Sequence, residues 1–220
     1  MKLEILNTSV TIVAEQHNPT ILHPSFLQSQ EIVPCDWKVD PSPGAVISSP
    51  VFATAKFANG FIFTVEEKKL QVIDSQVISD EKSPVAELAF KYVKTLPYVQ
   101  YQAIGINFNG FIESPDADRI IIEKFIKTGS CDYKSNHLDS LGLRLIYKLS
   151  DARLRLACDS GKVAKQENEK EQQGILLSAN YHADINGDNR IGKIRESTLL
   201  FAQRWKHFFD MTKTIFGLEN

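Results

Sequence analysis

Two stretches in which apolar residues recur at every second position, each folding back on itself at a turn, restrict this chain more than any other feature. Val51, Ala53, Ala55 and Phe57 share one face, Asn59-Gly60 follows, and Phe61, Phe63 and Val65 resume the same period of two. A period of two is the mark of a strand with one buried face. The turn fixes the register. A two-residue Asn-Gly turn would set Lys56 against Phe63 and Thr54 against Val65, mixing polar and apolar side chains on each face. A three-residue loop, Ala58-Asn59-Gly60 with Gly60 left-handed, pairs Phe57 with Phe61, Ala55 with Phe63 and Ala53 with Val65, and is the register expected. The second hairpin alternates through Leu143, Leu145, Tyr147 and Leu149, turns near Asp151-Ala152 and returns through Leu154, Leu156 and Cys158.

Helices are announced by capping pairs. Ser83-Pro84 precedes Val85, Leu88, Ala89, Tyr92, Val93 and Leu96, a helical stripe that stops before Pro97. Ser114-Pro115 opens a helix through Ile120, Ile121 and Phe125, which Gly129 ends. The stripe Phe201, Trp205, Phe208, Phe209, Thr212, Ile215 and Phe216 marks a long last helix whose apolar side faces the core. Strands are expected over residues 9–16, 103–112 and 175–185. Asn18-Pro19 opens a helical segment that His23-Pro24 interrupts, and residues 34–43 read as a loop carrying Trp37, which packs over a sheet edge or, as the alternative, anchors a partner.

The order strand, helix, hairpin, long helix thus occurs twice. The expected fold is α+β, with two similar halves forming a mainly antiparallel sheet covered by long helices. The halves are residues 1–100 and 101–220, joined as one cooperative unit.

Composition limits the function classes. Net charge is −2 across 220 residues, so the whole molecule lacks the basic excess that phosphate backbones demand, and a nucleic-acid site would have to be a local patch. No apolar run approaches the roughly 18 residues needed to span a bilayer, and the start, Met1-Lys2-Leu3-Glu4-Ile5, lacks the apolar core of a signal peptide, which points to a soluble, cytoplasmic protein away from membranes. Cys35, Cys131 and Cys158 are an odd, widely spaced set of thiols with no CxxC pair; they suit neither a disulfide framework nor zinc.

The C-terminal residues AlaAspIleAsn (183–186) and RESTLLFAQRWKHFFDMTKTIF (195–216) resemble the ending of a sporadically distributed bacterial family of uncharacterised proteins. The resemblance implies an order of elements, and neither an activity nor a site residue to carry over.

The search for chemistry gives two candidate sites. Asp184, Asn186 and Asp188 stand at positions 1, 3 and 5 of a calcium-loop spacing. Position 6 is Asn189 rather than Gly, however, and position 12, which should give a bidentate carboxylate, is Arg195. The segment therefore reads as a polar strand-to-helix turn. The second hairpin carries Arg144, Lys148, Arg153 and Arg155 on the face opposite its apolar stripe. These four form a surface for an anion, a nucleic acid or an acidic protein, or else they are solvated or paired with Glu167, Glu169 and Glu171. Gly105-Ile-Asn-Phe-Asn-Gly110 has phosphate-loop glycine spacing but continues into Phe111, so it is a strand. The five histidines are scattered, and no cofactor motif is found.

By elimination these residues point to a non-catalytic interaction module, self-associating or part of a bacterial assembly. The alternatives are a nucleic-acid or nucleotide binder using the basic hairpin face, and an enzyme whose site is assembled from residues distant in sequence.

Overall fold

The computed structural model describes residues 1–76, 83–127, 130–131, 136–164 and 170–218. Nine strands form one antiparallel sheet: β1 (Leu3–Ala14), β2 (Val46–Ser48), β3 (Phe52–Lys56), β4 (Phe61–Glu66), β5 (Lys69–Asp74), β6 (Tyr101–Glu113), β7 (Leu143–Lys148), β8 (Arg153–Val163) and β9 (Gln172–Asp184). Their order across the sheet is β2-β3-β4-β5-β1-β6-β9-β8-β7. The helices are α1 (Pro24–Ser29), α2 (Val85–Thr95), α3 (Ala117–Phe125), α4 (Arg190–Leu199) and α5 (Phe201–Phe216).

This corrects the expected architecture. The sheet is the dominant element and is not covered by long helices, since four of the five α-helices among the described residues span 11 residues or fewer. Both expected hairpins are parts of longer meanders, β2-β3-β4-β5 and β7-β8-β9. The Phe201–Phe216 stripe does form a continuous last helix, α5, and it is parted from the preceding α4 at Leu200, whose N–H bonds the Ser197 carbonyl at 3.2 Å.

The first hairpin adopts the register set by its turn. Phe57 N–H donates to Phe61 O at 2.8 Å, Gly60 N–H donates to Phe57 O at 3.0 Å, and Ala55 pairs with Phe63 and Ala53 with Val65. Gly60 has φ +85°, and a Cβ added there would run into the Gln76 side chain. Gly60→Ala should therefore destabilise the chain by about 1 kcal/mol or somewhat more, through left-handed strain and displacement of Gln76. Urea denaturation checks it, and a change near zero would show the loop relaxing.

Alternation gives the sheet two unlike faces. Val10, Ile12, Phe63, Val65, Leu70, Val72, Ile104, Ile106, Phe108, Leu154, Leu156, Leu177 and Ala179 point to one side and form a buried cluster with the helices. On that side Phe108 lies at the centre of an aromatic group. It stacks on Phe208 at 5.7 Å and meets Phe201, Trp205 and Tyr181 at 5.4, 5.5 and 5.9 Å. Aromatic pairs at such distances add to the burial of their large apolar areas. Trp37 stacks on Phe61 at 4.9 Å and meets Phe57 edge-on at 5.3 Å, which seats the long loop on the β3–β4 end of the sheet.

Arg204 enters this layer from α5. Its guanidinium binds both carboxylate oxygens of Asp151 in the β7–β8 turn and lies over the Tyr181 ring at 5.2 Å. The turn is thereby tied to the last helix.

His17 is 3% exposed, and its Nδ1 has no hydrogen-bond partner among the described residues. Burial outweighs its contact with the Ile12 carbonyl and lowers its pKa from the ordinary 6.5. A lowered histidine pKa favours the neutral ring in the folded state, so its contribution is full above the ordinary value and is lost as pH falls through and below it. The melting temperature should drop between about pH 7 and pH 5, with part of the drop removed in His17→Phe. An identical pH profile for that variant would place the sensitivity elsewhere.

Candidate functional site

The opposite face of the sheet contributes no residue to the buried core cluster. Its side chains lie in rows that cross the central strands. One row runs Gln71, Thr11, Gly105, His182, Arg153, Lys148 from β5 to β7. The next runs Ser9, Asn107, Asn180, Arg155, Ile146, and a third runs Asn7, Asn109, Ser178, Ala157, Arg144. Along these three rows the side chains are polar over β1, β6 and β9 and mainly cationic over β8 and β7, and the adjoining row, Glu4, Phe111, Leu176, Asp159, adds acidic and apolar groups.

The neutral part is organised by amides. Asn180 Nδ2 donates to Asn107 Oδ1 at 2.6 Å, and Asn107 Nδ2 lies within hydrogen-bond range of Ser9 Oγ and Thr11 Oγ1, both at 3.2 Å. Asn109 Nδ2 donates to Asn7 Oδ1 at 2.7 Å. Gly105 makes room for this network, since a Cβ there would stand 2.6 Å from Asn180 Nδ2. The half-buried amides satisfy one another, so the face is preorganised rather than loosely solvated.

The cationic part is the face anticipated from the second hairpin. Lys148 pairs with Arg153, Ile146 with Arg155 and Arg144 with Ala157. All four cations are exposed. Elsewhere cations find carboxylates: Lys69 with Glu66, Arg119 with Asp116, Arg195 with Glu87 and Arg204 with Asp151. Among the described residues no carboxylate pairs with Arg144, Lys148, Arg153 or Arg155. Of the acids expected to neutralise them, Glu167 and Glu169 lie outside the described residues, and Glu171 forms no ion pair with any of the four. A cleft of about 410 Å³ opens at the turn end of this patch, lined by Ile146, Lys148, Asp151, Arg153, His182 and Asp184. His182 Nε2 lies 3.1 Å from Asp184 Oδ1 at its rim.

Asp184 ends β9, and Asn186 and Asp188 lie in the connection from β9 to α4. Gly187 takes φ +81°, and Asn189 Oδ1 caps α4 by accepting from Gly192 N–H at 3.1 Å. The helix cap is what position 6 of the calcium-loop spacing has become. Lys193 Nζ donates to the Asn186 carbonyl and Arg190 Nε to the Gly187 carbonyl, so cationic side chains already hold the loop oxygens. Among the described residues no cluster of three or more His, Cys, Asp or Glu side chains is arranged to hold a metal ion. Millimolar calcium and a chelator should leave the melting temperature equal, because the loop lacks the bidentate carboxylate such sites depend on. A rise of several degrees with calcium would show Glu196 or another acid completing a site.

Cys158 is buried on the core side of β8, where desolvation and the neighbouring Asp159 push its thiol up to about 12. His23 Nδ1 caps α1 by accepting from Ser25 N–H at 3.2 Å, and His207 Nδ1 lies 2.8 Å from the Tyr181 hydroxyl. Among the described residues no helix is long and apolar enough to cross a membrane.

The residues that sequence reasoning passed over are the polar ones of the central strands: Asn7, Ser9, Thr11, Asn107, Asn109 and Asn180. Their signal was available. Gly105, Asn107 and Asn109 alternate with Ile104, Ile106 and Phe108, which marks a second, polar face on a strand otherwise read for its apolar one.

Searches with family models, against curated proteins and against solved structures returned no match to this chain.

Proposed function

We propose that the protein is a non-catalytic interaction module that docks an acidic protein partner on the uncovered face of its sheet. The observation that carries the reading is the set of four exposed cations that pair with no carboxylate among the described residues, beside a preorganised band of amides and hydroxyls. Like charges clustered without an interleaved acid repel one another until a partner neutralises them. The amide band then offers neutral donors and acceptors to the rest of that partner's surface.

A nucleic-acid partner is the second reading, and the same cations favour it. Two features place it behind the first. The cations occupy one corner of the face rather than a track across it, and among the three rows over the central strands His182 is the single aromatic ring on which a base could stack.

Affinity capture from a lysate with and without nuclease treatment, using the wild-type chain and an Arg144→Glu, Lys148→Glu, Arg153→Glu, Arg155→Glu variant, tests the proposal. An acidic protein retained by the wild type, lost with the variant and weakened by salt is the expected result. Retention that disappears on nuclease treatment would replace it with the nucleic-acid reading, and equal capture by both chains would remove the basic face from the function.

A further inference from the structure

We infer that the free edge of β7 accepts an extended acidic segment of the partner as a tenth strand, an inference that rests on the basic-face reading above and names how the partner is held. Strand β7 lies at one end of the sheet and, among the described residues, pairs only with β8. Its other edge therefore presents unpaired backbone groups, and which residues present them follows from the turn. Leu149 N–H donates to Ala152 O at 2.9 Å. Inward and outward backbone groups alternate along an antiparallel strand, so Leu143, Leu145 and Tyr147 bond toward β8, while Arg144, Ile146 and Lys148 aim their N–H and C=O outward.

The edge is also chemically selective. Its outward backbone groups belong to the residues whose side chains lie on the basic face, with Ile146 61% exposed between two cations. On the helix side the half-buried Leu143 and Leu145 and the 38% exposed Tyr147 form an apolar row that ends abruptly at the edge. An incoming antiparallel strand thus meets cations on one face and apolar side chains on the other. The matching segment alternates acidic and apolar residues.

A second copy of β7 does not match. In the antiparallel pairing centred on Ile146, Arg144 would face Lys148 across the junction twice, placing like charges directly opposite. The cations protect the edge against self-pairing and select an acidic strand through the same charges.

The test uses the full chain and a blocked peptide of alternating glutamate and valine matched to the length of β7. Fluorescence anisotropy follows binding, and amide hydrogen exchange read by NMR follows the edge. Binding should slow exchange at Arg144, Ile146 and Lys148 without changing Leu145, whose amide already bonds β8. Ile146→Pro removes one outward N–H, costs no bond to β8 and keeps all four cations, and should weaken the peptide at least tenfold. Peptide binding that survives Ile146→Pro, or that leaves the three outward amides exchanging at their free rate, would overturn strand addition and reduce the contact to charge alone. Partner capture that is lost with the fourfold charge reversal but unchanged in Ile146→Pro would separate the two ideas, keeping the basic face and discarding the edge. A variant with an altered melting temperature is replaced by N-methylation of the peptide at alternate residues, which blocks the same bonds from the other side and should weaken binding equally.

Discussion

Replacing Phe108 by alanine should destabilise the protein by about 3 to 5 kcal/mol, the range for removing a fully buried aromatic ring from a core that cannot collapse around the gap. Phe108 is 0% exposed and lies against four other rings, contributed by β9 and α5. Removing it leaves Phe208 without the ring it stacks on and opens a void that backbone on the β6 side cannot fill. The neighbouring strands β1 and β9 hold β6 through the whole of Leu3–Ala14 and Glu113–Ala103 pairing. In a chain of this size the loss corresponds to a fall of roughly 10 °C or more in melting temperature. Phe108→Leu, which refills part of the space, should recover more than half of it. Tyr98→Ala is the control, since Tyr98 is 93% exposed, and it should change stability by no more than about 0.5 kcal/mol. A Phe108→Ala effect near the control would mean that the aromatic group repacks freely and that the core is held elsewhere.

How much of this was legible in the sequence depended on whether a local signal survived its surroundings. The β3–β4 register was legible because only one loop length puts Ala53, Ala55 and Phe57 opposite Val65, Phe63 and Phe61, and Gly60 supplies the positive φ that loop requires. The apolar side of α5 and the four cations of the second hairpin were legible by the same logic of period and face. Strand β5 was not. It follows β4 through a turn of Glu67 and Lys68, without glycine, proline or asparagine, and only Leu70 and Val72 show its alternation clearly. What fixes that turn is tertiary: Lys68 O accepts from Ala14 N–H at 3.1 Å, and Glu67 O accepts from His17 N–H.

The start of β1 was hidden for a different reason. Leu3 and Ile5 alternate in one phase and Thr8, Val10 and Ile12 in the other, because a bulge between Ile5 and Asn7 shifts the register against β6. A bulge inserts one residue and flips the pattern, so a strict period of two breaks there. These missed strands are why long helices were expected to cover the sheet. With β5 and the first half of β1 left out, the sheet is narrow enough for a few helices to cover one side, and its second, polar face has no extent. The candidate site went partly unread on the same account, since the Asn and Ser rows are formed by strands that meet only in the folded sheet.

The second large effect concerns the division at residue 100. A fragment ending at Tyr98 keeps β1 to β5 and α2 but loses β6, which pairs with β1 from Leu3 opposite Ile112 to Ala14 opposite Tyr101. The cut exposes the whole of that edge of β1 and removes Phe108, Phe208 and Trp205 from the layer that covers the central strands. It also leaves Glu15 N–H without the Gln100 carbonyl that it bonds at 2.9 Å. A long, newly unpaired edge flanked by uncovered apolar side chains favours association over folding. The fragment should therefore be insoluble, or molten with dye-binding apolar surface and no fixed side-chain signals, while the full chain unfolds in one transition with calorimetric and van 't Hoff enthalpies that agree. The central pair β1–β6 makes this outcome a matter of shared structure, because neither side of the division can complete the middle of the sheet by itself. Two resolved calorimetric transitions, or a soluble fragment with dispersed NMR signals, would instead mean that residues 1–100 carry enough of the core to fold alone and that the β1–β6 pairing joins two independently stable units.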